Sequence, residues 1–457
     1  LNIISSSNFT DHTQITTILP KSAQSHPKIA IEGNAELDSF PDKSGLGTLA
    51  DPYIIANYTI DAANSGSGVS IQNIDRYLIL QNLTISNSAG YGTGSGIYLN
   101  NVTNVQIDSC QTPSNYHGIY LVNSANCTIA NNTISDSTYG VRLASSENIS
   151  LFDNRMIGGG LYLEGDLDSQ VSHTSSNNSV NNRLLFWYVN ETGLSAANFT
   201  SAGQIILVNC TDADISDQNL TAATIGLQLL STKDSRITNV TANEGVYGFY
   251  FDTEARNNTI VNCTTSGNSF YGQFLDSSNT TVINCTAFEN NYHGFLLDFP
   301  GEFNNIINSK ASNNNGNGIR ISNSVNNTIT NCTTSGNAQY GLEIFSSEFN
   351  TIVNCTLSTN TQKGLYLRYS DQNAIINCTI SDNFGYGVHL DDSHSNILSN
   401  CTSMGNSFYG IYLDKSNSND ILNATISDNT NGGLVLSSSD GNEIGYCKAW
   451  NNPYGYY

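Results

Sequence analysis

From about residue 235 onward the chain repeats one short phrase: a glycine, then apolar, variable, apolar. Examples are Gly387-Val388-His389-Leu390 and Gly410-Ile411-Tyr412-Leu413. Alternating apolar positions predict a strand with one buried face. The phrase returns about every 23 residues, at Gly248, Gly272, Gly294, Gly318, Gly341, Gly364, Gly387, Gly410, Gly433 and Gly455. Looser copies at Gly96, Gly118, Gly140 and Gly160 carry the same strand into the first half. A unit this short cannot bury its apolar face alone, but a stack of such units can. Glycine in each unit is expected where the chain must take φ > 0 to turn a corner.

Other columns keep the same period. A small or apolar column runs Val240, Cys263, Cys285, Ser309, Cys332, Cys355, Cys378, Cys401, Ala424, Cys447. Five residues before it stand Asn327, Asn350, Asn373, Asn396, Asn419 and Asn442, and five after it Asn337, Asn360, Asn383, Asn406 and Asn429. In parallel in-register stacking, like side chains superimpose every 4.8 Å or so. An Asn amide both donates and accepts, so such columns are expected to form ladders inside the rod. The expectation is an all-β fold: a single parallel solenoid over 27–457 with Asn ladders and a stacked Cys column. An irregular, enlarged coil is expected at about 183–230, where the period breaks, and residues 1–26 read as an arm or linker. The column accepts Ser, Ala and Val, and stacked Cβ atoms sit farther apart than a disulfide prefers, so buried free thiols are expected.

The segments Pro27-Lys28-Ile29-Ala30-Ile31-Glu32-Gly33-Asn34, Asp51-Pro52-Tyr53-Ile54-Ile55 and Tyr188-Val189-Asn190-Glu191-Thr192-Gly193, with the repeats, carry a resemblance. Together they resemble the right-handed parallel β-helix repeat family. The branch is similar to archaeal surface proteins related to a periplasmic accessory protein of nitrous-oxide reductase. The resemblance implies a right-handed solenoid over about 27–457. It implies little about activity, because this architecture hosts lyases, hydrolases, epimerases, adhesins and scaffolds. No copper-ligand cluster matches, so that relative's metal role is not carried over.

Composition narrows the partners. With 38 acidic and 16 basic residues the chain carries −22, which excludes nucleic acid and anionic membranes as natural partners. No apolar run is long enough to span a membrane. Roughly two dozen Asn-x-Ser/Thr sequons favour an exported chain. An extracellular or cell-surface location after signal removal is therefore expected. Sequons on the stacked column are read as bend residues; Asn8, Asn57, Asn190, Asn198 and Asn219 are the glycan candidates. No Cys-x-x-Cys or Cys/His spacing marks a metal site, and no motif calls for a cofactor; a structural divalent cation would suit the charge without being signalled.

Two function classes follow. The outward row of the post-glycine strand holds Arg320, Glu343, Tyr366, His389 and Tyr412, and two residues on lie Arg368, Asp391 and Asp414. Glu343, Tyr366, Arg368, His389 and Asp391 are the candidate catalytic set of a polysaccharide-binding or -cleaving rod. Rows of tyrosine (Tyr98, Tyr120, Tyr162, Tyr250 outward; Tyr247, Tyr271, Tyr340, Tyr386, Tyr409 before the glycine) suit glycan stacking or a protein interface. The favoured expectation is a non-catalytic surface protein that self-assembles through its ends and faces, with copies of itself and cell-surface glycans as partners. It rests on Gly455-Tyr456-Tyr457 ending within a strand and on the arm as a bridging strand.

Overall fold

In the computed structural model, residues 24–90 and 94–456 are described. Residues 1–23 of the expected arm, with Asn8, lie outside them, as does Tyr457. The fold is the expected right-handed parallel solenoid. It is built as two successive stacks of coils. In the first, two 6-stranded sheets form two faces; in the second, two 11-stranded sheets do so. The third face of both belongs to one 19-stranded sheet. Register is strict: Leu342, Leu365, Val388 and Ile411 stand over one another, as do Glu343, Tyr366, His389 and Tyr412. A short helix, Asn34–Ser39, sets Leu37 against the first coils. No helix among the described residues is long and apolar enough to cross a membrane.

Polar columns hold the interior together. The backbone N–H and the side-chain Nδ2 of Asn350 both donate to Asn373 Oδ1, at 2.8 and 3.1 Å. Asn373 repeats this onto Asn396, and Asn396 onto Asn419. Each Nδ2 also donates back to a carbonyl of an earlier coil, as Asn373 does to Ser347 O at 3.0 Å. The second column does likewise from Asn268 through Asn452. A third column, unforeseen from the sequence, is serine: the N–H groups of Ser324, Ser347, Ser370 and Ser393 donate to the hydroxyl of the next rung. All ten cysteines are free and all but half-buried Cys447 are buried. Their thiols donate to carbonyls, Cys378 Sγ to Ile376 O at 3.4 Å.

The corners correct the reading of the glycines. None of the column glycines has φ in the left-handed region; the sequon asparagines do, with Asn354, Asn377, Asn400 and Asn423 at 54, 54, 55 and 53°. Asn tolerates this conformation better than other side-chain-bearing residues. The glycines are needed for space. A Cβ on Gly364 would lie 2.3 Å from Ile380 Cγ2, 2.6 Å from Asn383 Nδ2 and 2.9 Å from Gly387 O. The ladder amide and the neighbouring coil fill the volume a side chain would need.

Between the stacks the chain reverses. Ser179–Val180 ends the first, Asn181 and Asn182 both take positive φ (51 and 64°), and Arg183–Val189 returns antiparallel with Val180 opposite Arg183. Two consecutive left-handed residues are the signature of a two-residue hairpin turn whose twist suits its strands. Gln204–Val208 and Ile225–Leu230 are then buried on both sides. Their inward residues join the second core, while outward Ile206, Val208 and Leu230 join the first. The flank of the second stack thus covers the end of the first. The last strand there, Leu161–Glu164, still needs partners along its free edge. Gln204 supplies one set: its Oε1 accepts from Leu161 N at 2.9 Å and its Nε2 donates to Leu161 O at 2.6 Å. Gln228 does the same to Leu163, at 3.4 and 2.7 Å.

Two expected outcomes follow, both read as unfolding midpoints in denaturant. Gly364→Ala loses about 2 kcal/mol or more through overpacking, whereas Gly441→Asn, at φ 66° with no atom nearer a Cβ than Ser418 Oγ at 3.7 Å, changes stability by less than about 1 kcal/mol; equal effects would restore the conformational explanation. Gln204→Leu strips Leu161 of both partners and costs about 2–3 kcal/mol; a neutral result would show that the edge does not depend on the amide.

Candidate functional site

Strict register carries order to the outer surface. On the post-glycine face of the second stack three rows run along the rod. The row before the glycine holds Tyr247, Tyr271, His293, Asn317, Tyr340, Lys363, Tyr386 and Tyr409. The middle row holds Tyr250, Phe274, Leu296, Arg320, Glu343, Tyr366, His389 and Tyr412, paired rung to rung. The third row holds Asp252, Asp276, Asp298, Ser322, Phe345, Arg368, Asp391 and Asp414.

Rings on successive rungs touch. Tyr98–Tyr120 (5.5 Å between centroids), Tyr120–His117 (4.8 Å), His117–Tyr139 (5.0 Å) and Tyr139–Tyr162 (5.8 Å) run along the first stack. Tyr162 meets Tyr250 at 5.9 Å, so the track crosses the junction, and Tyr250–Phe274, Phe274–Tyr271 and Tyr271–His293 (5.2, 5.4 and 5.5 Å) extend it. A second run links Tyr340–Tyr366, Tyr366–His389 and His389–Tyr412 at 5.0, 5.1 and 5.1 Å. Side chains that point outward are in this way covered by their neighbours: Tyr366 and His389 are only 6% and 9% exposed.

Polar groups bridge the two runs. His293 Nδ1 accepts from Asn317 N–H at 2.9 Å. Asn317 Nδ2 donates to Glu343 Oε2 at 2.7 Å, and Arg320 Nε lies 3.3 Å from the same oxygen. Burial and the Arg320 charge push His293 down to about 3, so the ring is neutral.

Two stretches of the face differ in electrostatics. Toward its beginning, burial raises Asp252 to about 6. Burial, with Asp298 and Asp252 nearby, pushes Asp276 up to about 8, and its Oδ1 has no partner. At neutral pH Asp276 is therefore mostly a neutral acid, able to donate a hydrogen bond. Farther along, Lys363 sets its amine 3.2 Å from the centroid of Tyr366 and 5.3 and 5.9 Å from those of Tyr340 and Tyr386. Burial pulls Lys363 down to about 8. Tyr366 donates its hydroxyl to Asp391 Oδ2 at 2.8 Å, and Arg368 Nε stands 3.8 Å from that oxygen. Burial and then Lys363 push His389 down to about 3, and neither ring nitrogen has a partner.

The structure gathers Tyr366, Arg368, His389 and Asp391 around Lys363, and turns Glu343 toward Arg320 and Asn317. Sequence reasoning passed over Lys363, Asn317 and His293, though all three interrupt the pre-glycine tyrosine column. It also passed over Asp252, Asp276 and Asp298, one row from the tyrosines it marked. Of the glycan candidates, Asn190, Asn198 and Asn219 are exposed and Asn57 half-buried.

Residues 203–357 and 326–457 match the family model described as right handed beta helix region. Residues 52–203 match the model of the periplasmic copper-binding protein (NosD). The described residues do not fit copper: no group of three or more His, Cys, Asp or Glu side chains is placed to hold a metal ion, and the column thiols donate to backbone carbonyls. No curated protein matches the chain. Among solved structures, a periplasmic alginate epimerase mutant is similar at 12% identity and TM-score 0.39, over 87% of this chain and 85% of that one. A mannuronan C-5 epimerase module of Azotobacter vinelandii is similar at 15% and 0.40, over 86% and 91%. A pectate lyase is similar at 15% and 0.34, over 59% and 80%.

Asp276 gives a pH test. Its folded pKa is raised, so its contribution to stability is full below about pH 4 and is lost as pH rises toward 8. Asp276→Asn should therefore gain about 1–2 kcal/mol on the wild type at pH 9 and little at pH 4. Unfolding midpoints across that range check this; parallel curves would refute it.

Proposed function

We propose a function from one premise, that this chain belongs to the right-handed β-helix family: it binds polysaccharide along the ring track of its post-glycine face. One observation carries the reading. Rings 4.8–5.9 Å apart form a track that crosses the junction between the stacks and, past Asn317, Arg320 and Glu343, resumes in a second run, flanked by hydroxyl, carboxyl and amide groups. A linear polymer of sugar rings presents apolar C–H faces to such a strip and hydroxyls to its margins. The half-buried rings, Tyr98, Tyr250, Phe274, Tyr386 and Tyr412 among them, give contact area at small cost in side-chain entropy, while Tyr120, Tyr139, Tyr162 and Tyr366 are buried between them. Exposed Phe270 and Tyr292 widen the strip. The sequons and the periplasmic protein whose model matches residues 52–203 support an extracellular or periplasmic location.

A rod that associates with copies of itself is the second reading, favoured by the exposed rings of Phe299, Phe303, Phe349 and Tyr369. Phe303 and Phe349 take positive φ (56 and 58°), a conformation costly for bulky residues.

Affinity electrophoresis against dextran, mannan, laminarin and polygalacturonate, paired with light scattering over a concentration series, separates the two. Binding is expected for at least one polymer by a monomer. Tyr250→Ala with Phe274→Ala should weaken it at least about tenfold at an unchanged oligomeric state. A chain that retains no polymer and grows with concentration would replace glycan binding by self-association.

A further inference from the structure

The outer rows of the second stack hold three cations, Lys363 and Arg368 on one rung and Arg320 two rungs before them. That is a concentration in a chain with only 16 basic residues and a net charge of −22. Two carboxylates accompany them, and both are engaged. Glu343 Oε2 accepts from Asn317 and faces Arg320; Asp391 Oδ2 accepts from Tyr366 and faces Arg368. The donors are in surplus. The Lys363 amine meets ring faces and finds no hydrogen-bond acceptor among the described residues. Arg320 Nε and Arg368 Nε make no hydrogen bond within normal geometry, and neutral His389, with a single N–H to give, has no partner for either nitrogen. Buried donors without acceptors are costly, and groups of them on one surface mark where a ligand's acceptors belong. On the same face Asp252 and Asp298, with the largely protonated Asp276 between them, lie to one side and Asp414 to the other. Charge therefore favours an anion in the middle of the track and disfavours anions along its length.

We propose that Lys363 and Arg368 seat one anionic substituent, a carboxylate or a sulfate, on an otherwise uncharged polysaccharide lying along the track, with Arg320, two rungs away and paired with Glu343, at its margin. The inference rests on the glycan reading of this face and adds to it the class of polymer and its register. Half-buried Tyr340 and Tyr386 flank the amine, so a sugar resting on them brings its charge to it, while Tyr366, 6% exposed, lies beneath the amine itself. Arg368, 43% exposed at its side chain, offers the planar fork that suits a carboxylate or sulfate. Lys363 adds a point charge. The groups that face it are Tyr340, Tyr366, Tyr386, Glu343, Arg368, His389 and Asp391. With its pKa drawn down to about 8, its charge, and with it the preference for an anion, fades as pH rises past that value.

The test is a glycan array printed in matched sets: neutral oligosaccharides, the same chains with one glucuronate, the same with one sulfate, and oligogalacturonates. It is probed with the full chain and with Lys363→Gln and Arg368→Gln, each checked for an unchanged unfolding midpoint. Singly charged chains should bind about tenfold more tightly than their neutral parents, and oligogalacturonates less tightly than singly charged ones. Each variant should lose most of that preference. The carboxylate and sulfate arms tell which anion is held. Because Arg368 is the more exposed, its variant decides the matter if Lys363→Gln unfolds. Neutral and charged chains bound alike, or a preference that survives both substitutions, would overturn this inference while leaving the glycan reading intact. Tighter binding of oligogalacturonates would overturn it in favour of a polyanion track. No glycan bound at all would remove both.

Discussion

The amide of Asn373 makes hydrogen bonds in two directions along the rod. Its oxygen accepts twice from Asn350, and its nitrogen donates to Asn396 Oδ1 and to Ser347 O. Such a bond set can close only if the next coil is in register and at the strand spacing. A slip by one residue would turn the whole ladder outward and leave its partners buried without hydrogen bonds. The ladders therefore do more than satisfy corners. They penalise every alternative register, and so they let a chain with so few charged residues, rich in Asn, Ser and Thr, specify one fold.

Much of this was legible because it is periodic. The Asn and Cys columns could be placed from spacing alone, since equal spacing in a stack means superposition. The physical role of a column was less legible. Glycine looked like the residue for a left-handed corner, but Asn354 and Asn377 occupy that conformation and Gly364 yields volume to the Asn383 amide. Spacing shows that a residue recurs. It does not show which of its properties is being used, because conformational freedom and lack of a side chain leave the same mark.

The junction was illegible for the opposite reason: it occurs once. Asn181 and Asn182 form a strong turn signal, yet in a chain full of asparagine the pair does not stand out. Gln204 and Gln228 each imitate a strand edge for Leu161 and Leu163, a role that depends on residues some 40 and 65 positions away. The middle-row candidates Tyr366, His389 and Asp391 were found by alternation, whereas Lys363 was missed because its environment, three rings from three coils, exists only after stacking. The same holds for the acidity of Asp276, which comes from burial by neighbours rather than from its own strand.

The break in the solenoid and the continuity of its outer face are connected. Had the two stacks run end to end, the aromatic row of the first would continue into the next coil of the same sheet. Instead the chain reverses, and the first three strands on this flank of the second stack, Arg183–Val189, Gln204–Val208 and Ile225–Leu230, give their outer surface to closing the first: Leu185, Ile206, Val208, Gln204 and Gln228 lie under it. Those strands carry no outward tyrosine. The track resumes at the first rung beyond the covered area, where Tyr250 and Tyr247 meet Tyr162 across the joint. These rings close the joint: Tyr139 and Tyr162, each 7% exposed, form a small core with Ile225 and Val246, and Tyr247 and Tyr250 pack against it. Packing at the joint therefore brings the two rows together, and the continuous surface they share is a consequence of how the stacks are closed.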